Sequence, residues 1–98
     1  MNQYMVEIWL PEEFTPEMMT LVTHQRMVVN QMLRRGRLRA YTLSANRQRL
    51  WLVMVARDEQ EVATIIDKFP MAQFMTYEMQ PLMFHNSVEE QLPSISMN

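Results

Sequence analysis

The sequence contains no cysteine, which excludes a disulfide framework and a thiolate site and makes the reducing cytoplasm the expected compartment. It contains one glycine, too few for a phosphate-cradling loop, and there is no GxSxG elbow to expose a nucleophilic serine. Its two histidines, His24 and His85, fall outside HxxxH and HExxH spacing, so no metal and no cofactor is expected. No apolar run reaches the length of a signal peptide or a membrane span, and no membrane partner is expected. A clustered basic face is also missing. The formal charge is −2 with the signs mixed, which argues against nucleic acid and anionic membrane as partners. The one basic cluster, Arg34, Arg35, Arg37 and Arg39, begins in the last turn of an expected helix, where cations complement the dipole.

What is present is a chain of 98 residues with twelve methionines. The length bounds it to one domain, small enough for burial in an oligomer to help. The methionines give a soft, adaptable interior, whether as an ordinary core or as a compliant apolar cavity.

Gln3 to Trp9 alternates as a strand, with Tyr4, Val6 and Ile8 on one face and Met5, Glu7 and Trp9 on the other. Thr15-Pro16-Glu17 starts a helix, with a capping hydroxyl, a proline preset at the first turn and a carboxylate favoured by the dipole. That helix is expected to run to about Arg35 and to stop at Gly36 in the left-handed region. Its apolar stripe is Met18, Leu21, Val22, Val28, Val29 and Met32, with Gln25 in the middle. An amide placed there needs a partner from the sheet or from a ligand.

Leu38 to Ser44 and Leu50 to Ala56 read as strands joined by the polar loop Ala45 to Arg49. The second is apolar on both faces and is expected to be central. It also lacks the charge and glycine that an RNA-binding sheet interleaves with aromatics. Asp58 and Glu61 resemble a capping box, and Val62, Ile65, Ile66 and Phe69 supply the stripe of a shorter helix ending before Pro70. Phe74 to Met79 alternates as the last strand, with Pro81 expected to end its ladder.

The order is βαββαβ. With two helices on one face of a four-stranded antiparallel sheet, this is the ferredoxin-like α+β fold. The other face carries Met5, Trp9 and either Tyr77 or Phe74, so a second subunit packed sheet to sheet is its natural cover. Residues 1–84 form the expected domain, and 85–98 a tail that is either disordered or laid across a neighbouring subunit, the second being favoured for its first half.

The stretch from Phe69 to Phe84 resembles the C-terminal strand of muconolactone isomerase-like proteins. The residues that carry the resemblance are Pro70, Phe74, Met75, Glu78, Pro81 and Leu82. Register continues without a gap back to about Gln25, taking in Gly36, Arg47 and Glu61. The resemblance implies a dimeric α+β barrel, a homo-oligomer of two or more subunits, and a pocket between the first helix and the sheet where a proton is moved on a lactone. It also places Gln25 where a family glutamate would stand. An amide takes up no proton near neutral pH and acts only through hydrogen bonds.

The expected catalytic residues are therefore Gln25, as hydrogen-bond donor to a carbonyl or enolate-like oxygen, and its neighbour His24, as the base with a suitable unperturbed pKa. Tyr41, Trp51, Tyr77 and Glu78 are the expected substrate-binding residues. Glu78 has a second reading, as a carboxylate paired with Arg37 or Arg39 across the sheet. The function expected is an isomerase-like proton transfer on a lactone or related carbonyl metabolite. The alternative is a non-catalytic oligomeric domain that binds a ligand or a protein through the same cavity.

Overall fold

The computed structural model describes residues 1–86. The expectation that the tail packs on a neighbour falls mostly on residues 87–98, outside the described residues.

The elements are β1 (Asn2–Trp9), α1 (Pro16–Arg34), β2 (Leu38–Leu43), β3 (Arg49–Ala56), α2 (Glu59–Asp67), a 3-10 turn (Ala72–Phe74) and β4 (Thr76–Leu82). The strands form one antiparallel sheet in the order β2-β3-β1-β4, the ferredoxin-like topology. Tyr4, Val6 and Ile8 of β1 and Leu50, Leu52, Met54 and Ala56 of β3 point to the helical side. There they meet Val29 of α1, Val62 and Ile66 of α2, and Phe69. The alternation that marked β1 as a strand is thus the core itself.

Local chemistry sets the ends of α1. Thr15 Oγ1 accepts the Met18 N–H at 3.2 Å, and Pro16 occupies the first helical position. At the other end the Gly36 N–H donates to Leu33 and the Arg37 N–H to Met32, the paired bonds of a Schellman stop. Gly36 sits at φ +74, as its isolation in the sequence implies. Asp58 Oδ1 accepts the Glu61 N–H at 2.9 Å and starts α2. The Glu61 carboxylate does not close a capping box on Asp58; it accepts the Arg57 N–H at 3.0 Å instead.

The last strand differs from expectation at both ends. Phe74 belongs to the 3-10 turn, and β4 runs through Pro81, which lies opposite Tyr4. Because β4 is an edge strand, a residue without an N–H is tolerated there.

The open face of the sheet is also built differently. Tyr77 lies beside Ile8 on the helical side, and β4 gives the open face Thr76, Glu78 and Gln80, opposite Trp9, Glu7 and Met5. Its apolar part comes from β1 and β3, where Met5 faces Val53 and Glu7 faces Trp51. Glu7 is paired there: its Oε2 accepts from Arg49 Nη1 at 2.9 Å and from Trp51 Nε1 at 3.2 Å. The Arg49 guanidinium also lies 5.3 Å from the Trp9 ring centroid. Glu78 is not paired with Arg37, which is 3.7 Å from Glu61. The strand order explains this, since β2 and β4 are opposite edges of the sheet.

Candidate functional site

A cavity of about 420 Å³ lies between α1 and the β2–β3 half of the sheet. Helix α1 contributes Met19, Val22, Gln25 and Arg26, while Tyr41, Leu43 and Leu50 come from the strands and Arg47 from the hairpin between them. Leu10 and Phe14 enter from the connection ahead of α1, and Met71 and Met75 from the segment after α2. The wall is mostly apolar with a few converging polar groups, the composition of small-molecule sites.

Gln25 is the one buried polar side chain among the described residues, 3% exposed. Its position follows from the helical stripe: Val22 and Val29 flank it one turn away on either side. Its Oε1 accepts the Met71 N–H at 3.1 Å. That donor opens the 3-10 turn, where a backbone N–H lacks a helical acceptor. Since only the amide oxygen can accept it, the Nε2 end is the one left over. Nε2 is buried and has no hydrogen-bond partner among the described residues. A buried donor without an acceptor costs ~1–3 kcal/mol, so the fold holds this N–H at an energetic loss, on a residue that lines the cavity.

Tyr41 is held by β2 against the core. Burial pushes its hydroxyl above the ordinary value of 10.0, partly opposed by the nearby Arg26 guanidinium. It is therefore a protonated donor at neutral pH.

Arg47 adopts φ 64, the one non-glycine residue at positive φ among those described. The hairpin fixes it from both sides. The Arg47 N–H donates to the Ser44 carbonyl at 2.9 Å, and Asn46 Oδ1 accepts both the Ser44 hydroxyl at 2.7 Å and the Gln48 N–H at 3.0 Å. Such a conformation costs ~1–3 kcal/mol and persists only where the surroundings over-determine it, most often at functional sites. Neither Arg26 nor Arg47 has a carboxylate partner among the described residues.

Of the residues singled out from sequence, Gln25 and Tyr41 come together in the wall. His24 is exposed on α1 and does not line it. Tyr77 is half-buried on the helical side but outside the cavity, its hydroxyl raised above 10.0 by burial and by Asp67. Trp51 and Glu78 lie on the open face. Arg26 was missed although it stands one helical turn after Val22; a charge beside the stripe reads as a solvated flank. Met71 was missed because its contribution is a backbone N–H. Among the described residues no group of three or more histidine, cysteine, aspartate or glutamate side chains is placed to hold a metal ion. No described helix is long and apolar enough to cross a membrane.

Comparison with known proteins agrees with this architecture. None of the curated proteins compared matches the sequence. Among solved structures, that of a muconolactone isomerase superposes with a TM-score of 0.70 at 18% identity, covering 87% of this chain and 92% of the other. At that identity the likeness shows a shared fold. The sequence profile described as muconolactone delta-isomerase matches residues 3–88, nearly the whole chain and both sides of the cavity. On that match the chain belongs to the muconolactone delta-isomerase family.

Proposed function

We propose that the cavity binds a lactone or related carbonyl compound and that the protein isomerises it by moving a proton, with Gln25 Nε2 and the Tyr41 hydroxyl donating to the oxygen that gains charge. Removing a proton from a carbon conjugated with the carbonyl places negative charge on the carbonyl oxygen, and returning a proton at another carbon of the same dienolate completes the isomerisation. Donors already oriented in a site with little water stabilise that charge without reorganising, and one of them is worth ~10²–10³ in rate. The observation that carries this reading is Gln25 itself, a residue of the cavity wall whose buried Nε2 has no hydrogen-bond partner among the described residues.

The proton acceptor is a separate matter. Within the wall the ionisable side chains are Arg26, Tyr41 and Arg47, and none takes up a proton near pH 7. His24, the preceding residue on α1, is the acceptor in this reading, working through water from the exposed flank of the helix. The same wall favours a second reading, a domain that binds a carbonyl ligand without turning it over.

Conversion of muconolactone by the purified protein, followed by ultraviolet absorbance, separates the two. The isomerase reading expects turnover that falls ~10²–10³ in Gln25→Leu and also falls in His24→Ala. Ligand binding without conversion supports the binding domain. Further parts of the proposal are a homo-oligomer, in which a second subunit covers Met5, Trp9 and Trp51, and a distinct tail after residue 84. Sedimentation at micromolar concentration checks the first, and a soluble monomer contradicts it.

A further inference from the structure

The cavity is larger and less polar than a single lactone ring requires. Its volume is about 420 Å³. It falls in the ~300–1,000 Å³ range that encloses most of a drug-sized ligand. Phe14, Val22, Leu50 and Met75 give it an apolar interior. The apolar lining continues outward to Met19 and Leu43, which are 52% and 47% exposed. Water in such a space is poorly held, and its displacement by an apolar body favours binding.

The lining carries charge of one sign only. Arg26 enters from α1 and Arg47 from the hairpin, with no described carboxylate to neutralise either. A guanidinium is a planar fork that matches a carboxylate or enolate in two parallel hydrogen bonds. The Ser44, Asn46 and Gln48 bonds that close the β2–β3 hairpin also hold Arg47 at φ 64. A left-handed turn could more simply carry glycine.

Resting on the reading of this cavity as a ligand site, we infer that its ligand is an organic anion with an apolar body of about two fused rings, the anionic group clamped by Arg26 and Arg47 and a carbonyl set against Gln25. The two arginines are then specificity residues. They select charge at the mouth, while the methionine-rich wall selects bulk.

The test is calorimetric titration of the purified full chain with three probes: 1-naphthoate, its uncharged counterpart 1-naphthamide, and the smaller benzoate. The inference expects 1-naphthoate to bind about tenfold or more tightly than either of the others. Arg47→Gly and Arg26→Gln each weaken 1-naphthoate by about tenfold and leave 1-naphthamide unchanged. Glycine adopts φ 64 freely, so the melting temperature of Arg47→Gly does not fall, and lost affinity cannot be assigned to unfolding. Equal binding of the three probes, no binding of any, or 1-naphthoate binding indifferent to both substitutions overturns the inference. The assay reads binding alone. A protein that prefers 1-naphthoate but converts no lactone leaves this inference standing and removes the isomerase reading, and the reverse result removes only this inference.

Discussion

Gln25 Oε1 accepts the backbone N–H of Met71 at 3.1 Å, and this one bond ties the middle of α1 to the turn that follows α2. The amide oxygen of Gln25 holds the cavity wall together, and the amide nitrogen is left buried with no partner among the described residues.

The bond to Met71 makes Gln25→Leu destabilising. Leucine fits the stripe, but the Met71 N–H is left buried without an acceptor, and the expected loss is ~1–3 kcal/mol in urea unfolding. Gln25→Glu keeps an acceptor for Met71, so it retains more of that stability, although burial raises the new carboxyl's pKa. Wild-type stability in Gln25→Leu would show that the bond contributes nothing.

Gly36→Ala is expected to cost ~1 kcal/mol. An added Cβ meets nothing within 4 Å, so the whole cost comes from the backbone at φ +74. Gly36→Asn, which tolerates the left-handed region better, should lose less. Thermal melts of the two variants check the order, and equal loss in both would point to a cause other than φ.

The Schellman stop, the Thr15 cap and the alternation of β1 were legible in the sequence because each is written in neighbouring residues. The core positions of α1 followed from the same local period. Pro81 misled because its effect depends on where the strand lies in the sheet: proline ends a central ladder but sits in an edge one. The partners of Glu7 and Arg37 were also beyond reach, since they depend on strand order and on α2 packing over β3. At the site, Gln25 announced itself as an amide on an apolar stripe. Arg26 and the Met71 N–H carried no such signal. Arg47 stood out as part of a polar loop and as a position in the family register, but nothing in its residue type reveals a positive φ.

Tyr41 should titrate above 10.0, since burial disfavours its phenolate. Arg26 opposes that shift, so Arg26→Gln is expected to move the Tyr41 transition further up. Ultraviolet titration of the phenolate band, with Tyr41→Phe to assign the signal against the also raised Tyr77, reads it directly. A downward move in Arg26→Gln would place the guanidinium elsewhere.

Glu61 carries a pH dependence of opposite sense. The Arg57 backbone N–H first, then the Arg57 and Arg37 charges, hold its carboxyl below the ordinary 4.5 despite some burial. A group whose folded pKa is lowered contributes stability above its unfolded value, and that contribution is lost as pH falls through the folded one. Stability should therefore decline on acidification below about 4.5, less steeply in Glu61→Gln. Identical acid limbs in the two proteins would remove Glu61 from the account.

The most direct test of the central claim, that the Gln25 amide holds a carbonyl oxygen while a proton leaves a carbon conjugated with it, is deuterium incorporation into muconolactone in heavy water, followed by proton NMR. The account predicts exchange at the carbons conjugated with the lactone carbonyl faster than in buffer, reduced ~10²–10³ in a Gln25→Leu protein that still melts cooperatively. Exchange no faster than buffer, or equal in the two proteins, would contradict it.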